Sequence, residues 1–270
     1  MLLFAAALVG LLVLLAWRDT NKPVLRTVTI PVEGLERPYR FLHVTDLHGS
    51  RFGEAQSSLT TLLRGRSYDA VAFTGDATLA RGTDTGPAIE LVEAVRHQGP
   101  MLFVPGNHDD SAVGPALVSA GATDLSVAKQ FSVGGPKGVT FLAVSEIGRV
   151  PQASGTVVVL EHVPLSSEQL RAAGAQGVDA VLSGHTHGGN MRLPLLGALI
   201  APPIGDSADW TLLPERKGLH VEGIKKVSGV WVHISRGLGV GQKANLPEWL
   251  YFRFGVRAEM TEVLVVPSGR

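Results

Sequence analysis

Asp46-Leu47-His48, Gly75-Asp76, Gly106-Asn107-His108-Asp109, Glu161-His162 and Gly184-His185-Thr186-His187 are five short blocks of side chains that bind metal ions. Carboxylate, imidazole and amide oxygen suit hard or borderline divalent ions. The chain has no cysteine, so thiolate sites and disulfides are excluded. Asp46, His48, Asp76, Asn107, His162, His185 and His187 are too many ligands for one ion and enough for two that share a carboxylate. Paired ions roughly 3.5–4 Å apart clamp the attacking and leaving oxygens of an in-line phosphoryl displacement and lower the pKa of a bound water. Such equipment belongs to a hydrolase.

Each block follows a short apolar run: Phe41–Val44, Ala70–Phe73, Met101–Val104, Val157–Leu160 and Ala180–Leu182. Runs of this length and composition predict buried strands, with the polar blocks on loops at their C-terminal ends, where open α/β sheets bind ligands. Amphipathic segments near Gln56–Arg64, Ala88–Arg96, Pro115–Ala120 and Ser167–Ala173 predict helices between the strands, so the class is α/β. Leu25–Val32 and Phe41–Val44, flanking a Gly34/Pro38 turn, predict a first hairpin-like unit. Asp and His at strand ends also serve as caps and turn formers, but turn chemistry does not ask for these residue types at five separate loops.

The five blocks, in this order, resemble the calcineurin-like metallophosphoesterase family, with its pattern DxH, GD, GNH[DE], H and GHxH, across about residues 39 to 240. The resemblance implies a four-layer αββα sandwich of two mixed β-sheets flanked by helices. It also implies two divalent ions, Mn foremost, with Fe, Zn or Mg as alternatives. One ion is then held by Asp46, His48 and His187, the other by Asn107, His162 and His185. Asp76 bridges them together with a water or hydroxide that serves as nucleophile. His108 is the implied catalytic residue, meeting transition-state charge or protonating the leaving oxygen.

The segments Asp46–Gly53, His187–Pro194 and Ser235–Gly239 look most like the YkuE/YaeI-like bacterial branch, whose members are membrane-associated phosphodiesterases. A related group includes a UDP-2,3-diacylglucosamine pyrophosphatase of lipid A synthesis. One position departs from the family: where GDxxD is common, and the second Asp orients the catalytic His, this chain has Leu79. Asp84 and Asp109 are the nearest acidic candidates for that task.

Arg51, Arg192 and Arg236 flank rim blocks, and guanidinium matches phosphate oxygens in a bidentate way. They are candidate substrate contacts, Arg236 first among them. His43 and His233 lie within strand-like runs and read as core groups. The proline-bearing stretch between Leu193 and Lys226 follows the last metal block and either drapes over the site or simply connects. Trp249-Leu250-Tyr251-Phe252-Arg253-Phe254 reads as core, or as a lipid-contacting cluster.

A chain of 270 residues with 45% apolar content can build one large α/β domain. Zero formal net charge argues against the basic surface of a general nucleic-acid binder. Met1 to Trp17 carries no charged side chain and sits at the short end of what spans a bilayer. Without a basic n-region or a small-x-small cleavage site, an uncleaved anchor is preferred over a secretory signal. Arg18, Lys22 and Arg26 follow it, which places the catalytic domain in the cytoplasm by the positive-inside rule. The expected organisation is residues 1–17 as anchor or uncleaved signal, 18–38 as linker and first strand, and 39–270 as the catalytic domain.

The expected activity is hydrolysis of a phosphodiester or pyrophosphate in a membrane- or envelope-associated substrate, a lipid-linked one among the candidates. The alternatives are a lipid A pyrophosphatase, a nuclease or nucleotide phosphodiesterase, and a catalytically idle metal-binding membrane scaffold.

Overall fold

A computed structural model describes residues 1–79, 84–149, 155–205, 207–241 and 251–268. Helix α1 (Leu2–Asn21) leads into β1 (Val24–Val32) and β2 (Tyr39–Val44). Then come α2 (Ser57–Leu63), β3 (Ala70–Thr74), α3 (Gly86–Val95), β4 (Met101–Val104), α4 (Val113–Ser119), β5 (Thr123–Asp124), α5 (Leu125–Ala128), β6 (Gln130–Val133) and β7 (Val139–Ala143). The second half holds β8 (Thr156–Leu160), α6 (Ser167–Ala175) and β9 (Ala180–Ser183). It continues with short strands β10 (Arg192–Leu193), β11 (Gly197–Ala198), β12 (Ile200–Ala201) and β13 (Thr211–Leu212), and ends with β14 (Gly223–Val227), β15 (Val230–Ile234) and β16 (Glu259–Pro267).

Among the described residues the longer strands form two six-stranded mixed sheets, in the orders β1-β16-β2-β3-β4-β5 and β14-β15-β9-β8-β7-β6. Alternation along each strand sorts side chains into layers. Leu42, Val44, Val71 and Phe73 face α2 and α3, packing with Leu59, Leu63, Leu91 and Val95. Phe41, Ala70, Ala72 and Leu102 face the other way and meet Phe141, Val158, Leu160 and Leu182 of the second sheet. Val157, Val159 and Val181 point outward onto Leu170 and Ala173 of α6. The result is helix, sheet, sheet, helix: the expected four-layer sandwich.

The hairpin expected of the first two strands does not form. The C-terminal strand β16 lies between them, parallel to β1 and antiparallel to β2. Burial explains the insertion: β2 is almost wholly covered, and so is the first half of β16, while β1 is only partly covered and carries Pro31, as suits an edge. Helix α1 also continues past Trp17 to Asn21, and its last turn is tied to the domain. The buried Asp19 accepts from Gly255 N–H at 2.8 Å, and Thr20 Oγ1 accepts from Arg253 N–H at 2.9 Å.

His43 and His233 meet between the sheets, ring centroids 5.3 Å apart. Both are buried, and each has one ring nitrogen without a partner. Burial, with the neighbouring His233, holds His43 well below the usual imidazole value. Burial lowers His233 to about 4. A histidine whose folded pKa lies below its unfolded one binds more protons when unfolded. Its neutral form therefore costs nothing above about pH 6.5, and stability is lost as pH falls toward 4. His233→Phe should remove part of that loss. In denaturant titrations at pH 7 and pH 4.5, the variant's stability should fall by about 2–3 kcal/mol less than the wild type's, and equal falls would show that His233 is not a buried neutral group.

Candidate metal centre

The blocks at Asp46, Asp76, Asn107, His162 and His185 follow β2, β3, β4, β8 and β9, which run parallel within their sheets. Parallel strands end on one side, so all five loops collect at one rim. There the loops bond across to each other: Asp46 N–H donates to Gly75 O at 3.0 Å and His48 N–H to Asp76 O at 2.9 Å. Between the sheets, Leu238 N–H donates to Thr45 O at 3.1 Å. Two glycines make the approach possible. A Cβ on Gly75 would run into the Gly106 backbone, and one on Gly106 into the Asp76 carboxylate. Asp46, His48, Asp76, His185 and His187 all adopt positive φ between 47° and 69°. Side chains seldom take that conformation, and its recurrence here marks loops bent to aim particular groups.

Two groups of ligand atoms result, Asp46/His48/His187 and Asp76/His162/His185, each with its atoms within 4.8 Å of one another. Asp76 also reaches the first group, with Oδ2 3.4 Å from His48 Nε2 and 3.1 Å from His162 Nε2. Asp46 Oδ1 lies 3.4 Å from His187 Nε2, and the His48 and His187 Nε2 atoms face each other at 3.2 Å. Nitrogen against nitrogen and nitrogen against carboxylate, all pointed inward, is the donor set of a cation site.

Backbone carbonyls fix two of the imidazoles. His162 Nδ1 donates to Thr74 O at 2.8 Å, which turns Nε2 toward Asp76. His185 Nε2 donates to Pro203 O at 3.0 Å, leaving Nδ1 free to face His162. Outer partners of this kind set tautomer and ring orientation in metal sites. Burial drives the Asp46 and Asp76 carboxyls up, but the surrounding histidines outweigh it and both end below the usual carboxylate range. For His162, burial lowers the pKa and contact with Asp76 more than reverses it, to about 9. Burial leaves His185 and His187 below the ordinary value.

Asn107 and His108 open onto a cavity of about 750 Å³, shared with Asp76, His185, His187, Asn190, Val163, Ile200, Pro202, Pro203, Gly205, Ser207, Trp210 and Gly241. The proline-bearing stretch thus drapes over the site, in two small antiparallel pairs, β10 with β11 and β12 with β13. His108 is 28% exposed, its Nε2 3.9 Å from Asp76 Oδ2. Burial sets its pKa below the usual value, against the attraction of Asp76.

Arg51, Arg192 and Arg236 are absent from the described lining, each engaged by a carboxylate instead. Arg51 pairs with Glu90 at 3.0 Å, Arg192 with Glu215 at 2.8 Å, and Arg236 with Glu222 as well as Glu259. Neither acidic candidate for orienting His108 is bonded to its ring. Asp84 accepts from Gly86 N–H. Asp109 accepts from the N–H groups of Ala77, Thr78 and Gly106 at 2.8, 3.1 and 2.9 Å, binding the β3 and β4 loops together. The local demand for backbone acceptors at this loop crossing claims the carboxylate.

Arg253 carries weight that its sequence context conceals. It is fully buried and its guanidinium donates to the carbonyls of His187, Arg236 and Gly239, with Nη2 3.3 Å from His187 Nδ1. An arginine inside an aromatic run is the available signal. Its neighbours Trp249 and Leu250 lie outside the described residues.

The sequence matches the family described as Calcineurin-like phosphoesterase over residues 39–189. The chain belongs to that family. The phosphoesterase is 24% identical over 270 residues to the uncharacterized metallophosphoesterase YkuE of Bacillus subtilis strain 168, covering 90% of this chain and 84% of that protein. It is 28% identical over 183 residues to the phosphodiesterase YaeI of Escherichia coli K12, covering 61% of this chain and 66% of that protein. A solved archaeal phosphodiesterase aligns at a TM-score of 0.39 and 12% identity, over 72% of this chain and 82% of that one. Family membership makes this chain a metal-dependent phosphoester hydrolase.

Asp109→Ala would leave three backbone N–H groups of the rim without their acceptor. The expected cost is about 2–3 kcal/mol of unfolding free energy, read by urea denaturation. An unchanged midpoint would show that water replaces the carboxylate.

Proposed function

We propose that the protein hydrolyses a phosphodiester or pyrophosphate bond of a membrane- or envelope-associated substrate, with two divalent ions, manganese foremost, held in the paired ligand groups. The observation that carries this reading is the placement of Asp76, one of whose oxygens lies within 3.4 Å of a histidine nitrogen from each group. The fit to cations rests on the donors themselves. The His48 and His187 Nε2 atoms, 3.2 Å apart, converge with carboxylate oxygens of Asp46 and Asp76, a mixed nitrogen and oxygen set that suits a divalent ion.

In this reading Asp46, His48 and His187 would hold one ion and Asn107, His162 and His185 the other, with Asp76 as the carboxylate common to both groups. Such a pair, when bound, polarises the phosphoryl oxygens and lowers the pKa of a water. The protein keeps the lone pairs aimed through the Thr74 and Pro203 carbonyls and holds Asp76 Oδ1 against His108 N–H at 2.9 Å. His108 faces the cavity from which the leaving oxygen departs. Because burial lowers its pKa, the ring rests neutral near pH 7, and it meets the growing charge through its N–H. Leu79 supplies no carboxylate behind it, consistent with charge stabilisation more than with full proton delivery.

Membrane association is supported by α1, whose 20 residues are long and apolar enough to cross a bilayer and almost wholly exposed. The apolar cavity wall of Val163, Ile200, Pro202, Pro203 and Trp210 suits a substrate with an apolar part. No lysine or arginine lies among the described lining residues, which weighs against a polyanionic nucleic acid.

The test is hydrolysis of bis-p-nitrophenyl phosphate by detergent-solubilised protein with Mn, Mg or Zn, before and after chelation, alongside metal content. Wild type is expected to show a chelator-sensitive signal, and Asp76→Asn to lose both activity and metal. His108→Ala should keep its metal while turnover falls about 10²–10⁴-fold. Wild-type turnover in the His108 variant would remove that residue from the mechanism. A metal-loaded wild-type protein without activity would leave a scaffold.

A further inference from the structure

We propose that the rim carrying the candidate metal site faces the bilayer, and that the flap described by residues 193–205 and 207–213 sits in the bilayer's surface layer. This rests on the reading of α1 as a membrane-spanning helix.

Strand direction supplies the first argument. β2 ends at the rim, in the Asp46 loop, and β16 runs antiparallel to it, so β16 begins at the rim. There Glu259 N–H donates to Gly237 O at 2.9 Å. β1 is parallel to β16 with Val24 opposite Glu259, so β1 also begins at the rim. Helix α1 stops three residues earlier, at Asn21, held by the Asp19 and Thr20 bonds to Gly255 and Arg253. A helix that crosses the membrane therefore delivers the domain with its catalytic side toward the lipid.

The flap supplies the second argument. Leu195, at the tip of the β10–β11 hairpin, is fully solvent-exposed (101%) and sits at φ 67°, a position that glycine or asparagine fills without strain. Ile200 and Leu212 are paired directly across β12 and β13 and so share a face. They are 40% and 62% exposed, and Trp210 beside them 62%. Large apolar groups crowded onto one flap make an unusual water-facing surface. Leucine and tryptophan together suit the apolar-to-polar boundary of a membrane.

Position and charge agree. The hairpin is joined to the base of α1: Arg192 N–H donates to Phe254 O at 2.8 Å, and Phe254 is followed by Gly255, the partner of Asp19. Lys22 and Arg257 gather at the helix end, with Arg257 on the Lys22 carbonyl at 2.6 Å, beside Arg18, which is paired with Asp19 at 2.7 Å. The exposed Arg216 and Lys217 follow the flap. Cations beside an apolar patch match anionic headgroups above acyl chains. The site then takes its phosphoester at the membrane surface, with Ile200 and Trp210 joining the cavity to the lipid.

Because the chain lacks cysteine, single-cysteine variants of the full-length protein can carry an environment-sensitive fluorophore. L195C, L212C, L12C and S67C would be reconstituted in nanodiscs of equal parts phosphatidylcholine and phosphatidylglycerol, with or without nitroxide-labelled lipid. Ser67 is exposed in the loop that leads into β3, on the side of the sheet away from the rim, and serves as the aqueous reference. The expected result is a blue shift and nitroxide quenching at 195, 212 and 12, with none at 67. Quenching at 12 but not at 195 and 212 would overturn the proposal. So would a blue shift at 195 and 212 that grows with protein concentration in detergent, which would make a second copy the occupant. An unquenched position 12 would overturn it together with the anchor. Bis-p-nitrophenyl phosphate hydrolysis by the wild type, run in parallel, distinguishes failure of the enzymatic reading, which would leave the fluorescence result standing.

Discussion

One carboxylate, Asp76, holds the site together. It is 1% exposed, its Oδ1 accepts the His108 N–H, and its Oδ2 faces histidines from both ligand groups. Burying a charge in this way is costly unless opposite charge stands beside it. His162 stands there: contact with Asp76 outweighs the effect of burial and raises its pKa to about 9. Cations held in the proposed sites would meet the same need with more charge. The proposed metal site and the electrostatic stability of the rim would then be one problem with one solution.

The backbone bears the cost of that arrangement. Five of the seven candidate ligands have left-handed φ, at about 1 kcal/mol or more each. Summed, that approaches a sizeable part of the 5–15 kcal/mol by which a typical domain is stable. Only a rigid frame can impose it. The frame is the apolar layer between the sheets, where Phe41 meets Phe141 edge-on with centroids 4.8 Å apart, reinforced by cross-rim bonds such as those accepted by Asp109. Mobile loops would relax the strain and lose the aim.

Much of this was readable from the chain because it is local. An apolar run followed by a block of ligands states both a strand and the loop at its end, and repeating that unit with helices between placed the chain in the α/β class; the four-layer αββα order came from the family resemblance. What escaped was non-local. β16 slots between β1 and β2 although more than 200 residues separate it from them in sequence, and no pattern in Leu25–Val44 announces a missing partner. The three rim arginines carried the right chemistry for phosphate, yet Glu90, Glu215, Glu222 and Glu259, distant in sequence, neutralise them. Asp109 was weighed as a partner for His108, whereas unpaired backbone N–H groups nearby compete for the same oxygens and win.

Arg253 joins the base of the apolar helix to the rim. A buried guanidinium with its hydrogen bonds going to carbonyls is held by geometry more than by charge, and its pKa is lowered by burial to about 10. Its side chain fastens the loops of His187, Arg236 and Gly239, while its backbone N–H is fastened to Thr20 at the end of α1. One residue therefore stands between the apolar helix and a candidate metal ligand. Any tilt of α1 must either break the Thr20 and Asp19 bonds or be passed to the segment that backs His187. A helix merely tethering the domain would not need such a joint. One that sets the height and angle of the rim, as the proposed arrangement at the membrane requires, would, because the aim of a ligand ring such as the one proposed for His187 tolerates little displacement.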